Sequence, residues 1–216
     1  MSGLLNTSDR QKWLVASLGL QPLIIVLRPD ESDLLGPFLH STLCQRLDQL
    51  HDLGVRHIEI AWSKDHRWFA LMDAIQSRHP DLLLGVASVT SRLGVQAVID
   101  LDLPYAMSPL FDQDLVSFAH SRNCCLVPGV MTPTEIRQAQ TMDCQLVKVF
   151  PASVMGIGYY RQICAPMGDL PFVIAAGGLS VADLKSWLAA GYDAIALGRG
   201  VFRTEDNIAD LRDWLT

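Results

Sequence analysis

Two charged residues of this sequence stand inside short apolar runs, where ionised side chains are rare. Lys148 interrupts the run Leu-Val-Lys-Val-Phe, and Glu59 interrupts His-Ile-Glu-Ile-Ala. Loss of hydration lowers the pKa of an ammonium group, so its neutral amine can attack a carbonyl carbon and form an imine. A carboxylate that shares the site can move the protons of such a reaction. We therefore take Lys148 as a candidate nucleophile and Glu59 as a candidate acid/base.

A structural role is the alternative for both residues. A lysine on an edge strand extends its ammonium group to water, and a buried lysine and glutamate can form an ion pair without chemistry. The other three lysines have ordinary surroundings: Lys12 in a polar N-terminal helix, Lys64 in a charged turn and Lys185 on a helix. Lys148 is therefore the lysine whose context indicates chemistry.

Two glycine turns supply a candidate anion site. Gly177 and Gly178 follow the seventh apolar run, and Gly198 and Arg199 follow the eighth. Backbone N–H groups in such turns bind phosphate, and Arg199 adds a full positive charge.

Arg28 ends the first apolar run and is a candidate partner for a substrate carboxylate, because its guanidinium group matches the planar carboxylate geometry. A salt bridge to Asp30 or Glu31 is the alternative for this arginine.

The spacing of apolar residues predicts strands and helices that alternate along the chain. The eight predicted strands are Leu23–Leu27, Val55–Ile60, Leu82–Val86, Tyr105–Met107, Cys124–Val127, Leu146–Val149, Phe172–Ala175 and Ala194–Leu197. The predicted helices between and after them include Leu39–Leu53, His66–Arg78, Gln113–Ser121, Thr134–Thr141, Gly158–Met167, Val181–Ala190 and Asn207–Trp214. Gly54, Gly94 and Gly191 are each predicted to end a helix.

Eight strand-and-helix units predict an α/β fold, a closed (β/α)8 TIM barrel, whose chemistry would lie at the carboxyl ends of the strands. An open doubly wound sheet is the alternative. Its dinucleotide-binding version is disfavoured, since no Gly-x-Gly-x-x-Gly follows the first strand.

Composition limits the remaining possibilities. The chain has 216 residues, 50% of them apolar and 19% charged, and a net charge of −6. These values predict one domain, residues 1–216, and argue against partners such as nucleic acid or a membrane. Five cysteines and six histidines show no metal-ligand spacing, and the first ten residues show no secretory leader. We therefore expect a cytoplasmic protein without a bound metal.

Three sequence features together resemble the 2-keto-3-deoxy-6-phosphogluconate (KDPG) and 4-hydroxy-2-oxoglutarate (KHG) aldolase family. They are Glu59 in Ile-Glu-Ile, the segment Pro128–Glu135 (Pro-Gly-Val-Met-Thr-Pro-Thr-Glu), and Lys148–Ala152 (Lys-Val-Phe-Pro-Ala). They occur in the family's order and at about its spacing, and the resemblance extends over about residues 23–201.

The resemblance implies a carbon–carbon lyase, a class I (Schiff-base) aldolase on a trimeric (β/α)8 barrel with no metal or other cofactor. Lys148 would form the imine and Glu59 would shuttle protons. Ser88, Pro109 and Phe150 would line the site, and Arg28 would bind the substrate carboxylate. The phosphate would be held by Gly177, Gly178 and Gly198.

The implied reaction cleaves a small 2-oxo acid to pyruvate and an aldehyde, in Entner–Doudoroff-type carbohydrate metabolism. KDPG would give glyceraldehyde 3-phosphate, and KHG would give glyoxylate. The galactonate epimer of KDPG and decarboxylation of oxaloacetate by the same imine remain alternatives, because several family positions differ here. The family's Gly-Ala-Gly-Thr-Val is Gly85–Val89 with serine at 88, and Arg199 replaces a serine.

Two other classes of protein remain open. A different phosphate-binding barrel, such as a sugar-phosphate isomerase or epimerase, would need a metal or a second carboxylate at the mouth. A barrel that binds its ligand without turnover is the other alternative, suggested by the changes at Ser88, Ser63 and Ala176.

Overall fold

The computed structural model describes residues 6–216, apart from the side chain of Leu39. The first five residues lie outside this range. Two predictions include these residues, the single domain 1–216 and the lack of a secretory leader, and for residues 1–5 both lie outside the described range. Within the described range, no helix combines the length and apolarity that a membrane crossing requires.

The strands form one parallel sheet in the order β5-β4-β3-β2-β1-β9-β8-β7-β6. Their bounds are β1 Leu23–Leu27, β2 His57–Ala61, β3 Leu83–Ala87, β4 Ala106–Met107, β5 Leu126–Val127, β6 Gly129–Val130, β7 Leu146–Val149, β8 Phe172–Ala176 and β9 Ala194–Leu197. Only Pro128 separates β5 from β6 along the chain, and its carbonyl accepts a hydrogen bond from Lys148 N. Because β5 pairs with β4 and β6 with β7, the sheet curves into a nearly closed barrel.

Helices cover the outside of the barrel, except for the first, which lies across its amino end. They are α1 Thr7–Leu20, α2 Thr42–Asp52, α3 Arg67–Arg78, α4 Arg92–Asp100, α5 Gln113–Ser121, α6 Pro133–Thr141, α7 Ala152–Met155, α8 Tyr159–Met167, α9 Leu184–Ala189 and α10 Glu205–Leu215. Short 3₁₀ helices span Ser32–Leu34, Phe38–His40, Val181–Asp183 and Arg199–Phe202.

Strand residues alternate between two buried environments. Ile25, Ile58 and Val147 belong to the large cluster between the strands and helices. Ile24 and Ile174 belong to a smaller cluster inside the barrel. Since both faces are buried, the strands are almost continuously apolar, which explains why a charged residue on one of them is conspicuous in the sequence.

The first helix closes the amino end of the barrel. Leu14 and Leu18 of α1 are fully buried and join the interior cluster. Ser17 Oγ lies 2.9 Å from Nε2 of His57, which is also fully buried. Side chains of α1 thus fill the barrel at the amino ends of the strands, and the barrel is open at their carboxyl ends.

The (β/α)8 barrel prediction is confirmed, and the open-sheet alternative is wrong. The predicted fifth strand, Cys124–Val127, begins later than predicted, at Leu126, and a further short strand, β6, follows it. Pro128 separates the two because it lacks the N–H that would continue the strand's hydrogen bonding. Gly54 and Gly191 follow α2 and α9 as predicted. Gly94 does not end a helix: it lies in the first turn of α4, where Ser91 Oγ accepts its N–H.

Protonation of His57 should destabilise the fold. Burial, with a smaller contribution from Arg56, lowers the pKa of His57 to about 4. A lowered folded-state pKa stabilises the protein above pH ~6.5, and this contribution is lost as the pH falls towards 4. Between about pH 7.5 and 4.5, the free energy of unfolding of the wild type should fall by roughly 2–3 kcal/mol more than that of His57→Gln.

Urea denaturation at the two pH values measures this difference. His66→Gln is the matched control, because His66 has a highly exposed side chain. Equal pH dependence in the wild type and His57→Gln would contradict the assignment of a buried neutral imidazole.

Candidate active site

A cavity of about 700 Å³ opens at the carboxyl ends of the strands. All ten residues singled out in the sequence line it: Arg28, Glu59, Ser88, Pro109, Lys148, Phe150, Gly177, Gly178, Gly198 and Arg199. They come from seven different strands or the loops that follow them. The barrel therefore brings together residues up to 171 positions apart in the chain, from 28 to 199.

Lys148 projects from β7 into this cavity, and only 7% of it is exposed. Its Nζ lies 5.6 Å from the centre of the Phe150 ring. Burial lowers the pKa of Lys148 to about 8, aided by the charge of Arg28 and opposed by that of Glu59. The side chain does not extend into bulk water, so the edge-strand alternative is wrong.

Glu59 faces the same cavity from β2 and is 1% exposed. Burial raises the pKa of its carboxyl to about 7, and the positive charge of Lys148 acts in the opposite direction. Its Oε1 is buried and has no hydrogen-bond partner. A carboxyl group with these properties can both take up and release a proton near neutral pH.

Lys148 and Glu59 influence each other without a close ion pair. Each shifts the pKa of the other, but within residues 6–216 no contact of 4.0 Å or less joins Nζ to the carboxylate. The purely structural ion pair is therefore not the arrangement found. Separation leaves both groups able to contact a bound molecule.

Arg28 lies at the rim of the cavity, beyond the end of β1. Its Nη2 donates a hydrogen bond of 3.2 Å to Ser88 Oγ. The carboxylate of Asp30 instead accepts hydrogen bonds from Ser32 Oγ and Asp33 N. Ser88 has a φ of 62°, an unfavourable value for a residue with a side chain. This conformation places a hydroxyl beside Arg28 at the mouth of the barrel.

The glycine turn after β8 forms another part of the cavity wall. Gly177 and Gly178 have φ values of 94° and 79°, which side chains disfavour. The carbonyl of Gly177 accepts a hydrogen bond from Ser153 N at the start of α7. After β9, the chain turns at Gly198 into the 3₁₀ helix that carries Arg199. Asn207 Nδ2 holds this turn by donating to the carbonyl of Gly200 at 2.7 Å.

Several polar residues of the cavity wall were not predicted from the sequence. Ser153, Ser180, Arg203 and Asn207 all line it. Arg203 was detectable in principle, because it follows Arg199 by four residues across a short helical turn. The others are common surface residues, and only the folding of their loops brings them to the cavity.

The cavity is positively charged although the chain is acidic. Arg28, Lys148, Arg199 and Arg203 line it, and within the described part of the chain Glu59 is the one carboxylate that does so. With a net charge of −6 overall, this local excess indicates a site for a small anion.

A parallel β/α barrel with a buried lysine and a buried glutamate at the strand ends has the character of an enzyme active site. Comparison with known proteins shows which class of enzyme this is. The model of the aldolase family "KDPG and KHG aldolase" matches residues 39–214. The chain belongs to this family, and it is accordingly a carbon–carbon lyase.

Individual relatives are distant but similar over most of their length. The chain is 26% identical over 197 residues to a probable 2-dehydro-3-deoxy-6-phosphogalactonate aldolase of Rhizobium meliloti, covering 89% of this chain and 87% of the relative. It is 25% identical to the 2-dehydro-3-deoxy-6-phosphogalactonate aldolase of Escherichia coli, covering 87% of each. Among solved structures, a KDPG aldolase of Legionella pneumophila with pyruvate captured as a covalent carbinolamine has a TM-score of 0.75 and 18% identity, covering 93% of this chain and 95% of that one.

Proposed function

We propose that this chain is a class I aldolase that cleaves a phosphorylated 2-keto-3-deoxy sugar acid to pyruvate and an aldehyde phosphate. The observation that carries this proposal is the pair of desolvated groups, Lys148 and Glu59, in one cavity whose other charged lining residues are all arginines. An isomerase of the metal or two-carboxylate type is less well supported, because Glu59 is the one carboxylate among the cavity residues described.

The reaction begins at the amine of Lys148. Its nitrogen attacks the C2 carbonyl of the 2-oxo acid. Glu59 donates the proton with which the C2 oxygen leaves as water, and a protonated imine results; hydrolysis at the end of the cycle returns this proton. Glu59 removes the proton from the C4 hydroxyl group, the C3–C4 bond breaks, and its electron pair moves towards the imine nitrogen. An aldehyde departs and an enamine of pyruvate remains. Glu59 returns a proton to C3, and water hydrolyses the imine to release pyruvate and the free amine.

The imine also removes the need for any cofactor in this proposal. The protonated nitrogen is the electron sink that a metal ion supplies in other aldol cleavages. Pro109 and Phe150 line the cavity around the pyruvate part of the substrate. Phe150 lies beside the amine and limits its access to water.

The two ends of the substrate would be bound by different cations. Arg28 is assigned to the carboxylate next to the imine. The phosphate is assigned to Gly177, Gly178, Gly198 and Arg199. The names of two relatives, both phosphogalactonate aldolases, support a phosphorylated substrate, and the galactonate and gluconate epimers are the two we would assay first.

Borohydride added together with pyruvate should reduce an imine on Lys148. Because only the neutral amine reacts, the initial rate of labelling should rise with pH through about 8, the value to which burial lowers the pKa of Lys148. Peptide mass spectrometry should locate the pyruvate-derived mass on Lys148. A chelator added beforehand should leave the labelling unchanged.

Lys148→Met should abolish both labelling and turnover, whereas Lys185→Arg, a change on an outer helix, should affect neither. Labelling at Lys12, Lys64 or Lys185 instead of Lys148 would rule out the proposed mechanism. So would full turnover by Lys148→Met.

Arg199→Ala should weaken the binding of phosphorylated substrates selectively. Loss of a charge-assisted hydrogen bond costs about 1.5–3 kcal/mol, roughly 10- to 150-fold in KM. The KM values for KHG and oxaloacetate, which lack phosphate, should stay the same. Steady-state assays on both classes of substrate measure the difference.

Arg161→Ala is the control for this experiment, because Arg161 is an exposed arginine of α8 outside the cavity. An equal rise of KM for phosphorylated and unphosphorylated substrates would show that Arg199 does not bind the phosphate.

We also propose a homotrimer in the cytoplasm, as the family resemblance implies. In support, four large apolar side chains are exposed in segments that follow β4, β6 and β7: Leu110, Met131, Val154 and Ile157.

Sedimentation equilibrium should give three times the chain mass of 23.8 kDa. Val154→Asp should lower this mass, and Leu20→Asp, at the closed end, should not. A monomeric wild type would refute the trimer.

A further inference from the structure

Tyr105 has a buried hydroxyl group that the proposed reaction does not use. The residue directly precedes β4, is fully buried, and belongs to the cluster inside the barrel. Its Oη has no hydrogen-bond partner. An unsatisfied buried hydroxyl destabilises the fold by about 1–3 kcal/mol. Phenylalanine would therefore give a more stable protein at this position, unless the hydroxyl has a function.

Gly85 of β3 provides the space that this hydroxyl occupies. A Cβ atom at position 85 would lie 2.9 Å from Tyr105 Oη and closer still to the ring. The phenol therefore fills the volume that a side chain of residue 85 would otherwise take. A larger residue at 85 would exclude it.

The same glycine is the neighbour of Glu59. Gly85 and Glu59 are register partners in the parallel pair of β3 and β2. Such partners lie about 5 Å apart and point their side chains to the same face of the sheet. The hydroxyl of Tyr105, which takes the place of the side chain of residue 85, is thereby next to the side chain of Glu59.

The two groups have complementary hydrogen-bonding capacity. Oε1 of Glu59 is a buried acceptor without a partner, and Oη of Tyr105 is a buried donor without one. Burial raises the pKa of the Tyr105 phenol, and the charge of Glu59 raises it further, as expected of close neighbours.

The other ionisable groups near Glu59 have different positions or partners. Lys148 approaches from β7 and Arg28 from the end of β1, both at the cavity. His57 lies two residues earlier on β2 and contacts Ser17. Cys125 lies beside Tyr105 in the interior cluster, and burial raises the pKa of its thiol, which keeps it neutral. Tyr105 is thus the neutral hydroxyl donor on the interior side of Glu59.

We infer that Tyr105 is a positioning residue, whose hydroxyl donates a hydrogen bond to Oε1 of Glu59 in the working enzyme and directs the carboxylate towards the substrate. Catalytic hydrogen bonds often shorten only when the substrate binds, and we assign the formation of this bond to that step. A bond to the ionised form also favours that form and offsets part of the burial effect. The inference rests on the proposed role of Glu59 in proton transfer.

Tyr105→Phe tests the inference because it removes only the hydroxyl. Difference infrared spectroscopy follows the carboxyl band of Glu59, identified by its loss in Glu59→Gln. In Tyr105→Phe the midpoint of this titration should move up by about one pH unit, the scale of a charge-assisted hydrogen bond. The acidic limb of the kcat/KM profile should move in the same direction.

Tyr192→Phe is the matched control. The Tyr192 hydroxyl is also buried, but its ring packs on Trp187 and Tyr160 outside the barrel. This variant should leave the midpoint unchanged. Gly85→Ala is a second test: it retains the hydroxyl but displaces the ring, and it should also raise the midpoint.

An unchanged Glu59 midpoint in Tyr105→Phe, or an equal shift in Tyr192→Phe, would overturn the inference. Because the infrared titration does not depend on turnover, the two proposals can fail separately. A protein without aldolase activity whose Glu59 midpoint responds to Tyr105→Phe would refute only the proposed function. An active aldolase with an unresponsive midpoint would refute only the role of Tyr105.

Discussion

The desolvation of one amine is the constraint on which the site depends. Lys148 is almost fully buried, and burial shifts its pKa towards neutrality, where a useful fraction of the amine is uncharged. The same burial shifts the carboxyl of Glu59 in the opposite direction. Two groups that are fully ionised in water thus both exchange protons near neutral pH. The barrel supplies this environment because its strands are covered on one face by helices and on the other by the interior cluster.

The interior of the barrel becomes more polar from its closed end to its open end. At the closed end, Leu14 and Leu18 of α1 fill the centre, and the neutral His57 contacts Ser17. Nearer the open end lie Tyr105 and Glu59, and the cavity there includes Arg28, Lys148, Arg199 and Arg203 in its lining. Buried polar groups therefore occur both at the closed end, at His57, and next to the cavity, at Tyr105 and Glu59. Backbone strain also occurs at the cavity, where Ser88 has a positive φ.

Much of this arrangement could be predicted from the chain. The strands β1, β7 and β9 have the predicted bounds, because an apolar run without interruption identifies a strand that is buried on both faces. The fifth strand was predicted to begin at Cys124 rather than Leu126, since Cys124–Val127 is apolar, and β6 was not predicted, because the effect of Pro128 on pairing depends on its neighbours. The helix at Arg92–Asp100 was missed because Gly94, taken for a helix end, lies inside its first turn. The polar wall formed by Ser153, Ser180, Arg203 and Asn207 was also missed.

The sequence by itself determined the fold class and the candidate nucleophile and acid/base, because periodicity and a charge within an apolar run are local properties of the chain. The family resemblance rests on local segments in the same way. Only the tertiary structure decided that Arg28 and Arg199 share one cavity, that Lys148 and Glu59 remain apart, and that the Tyr105 hydroxyl lies at the place left open by Gly85. These facts depend on strand register and barrel closure, which bring distant residues together and which no local pattern encodes.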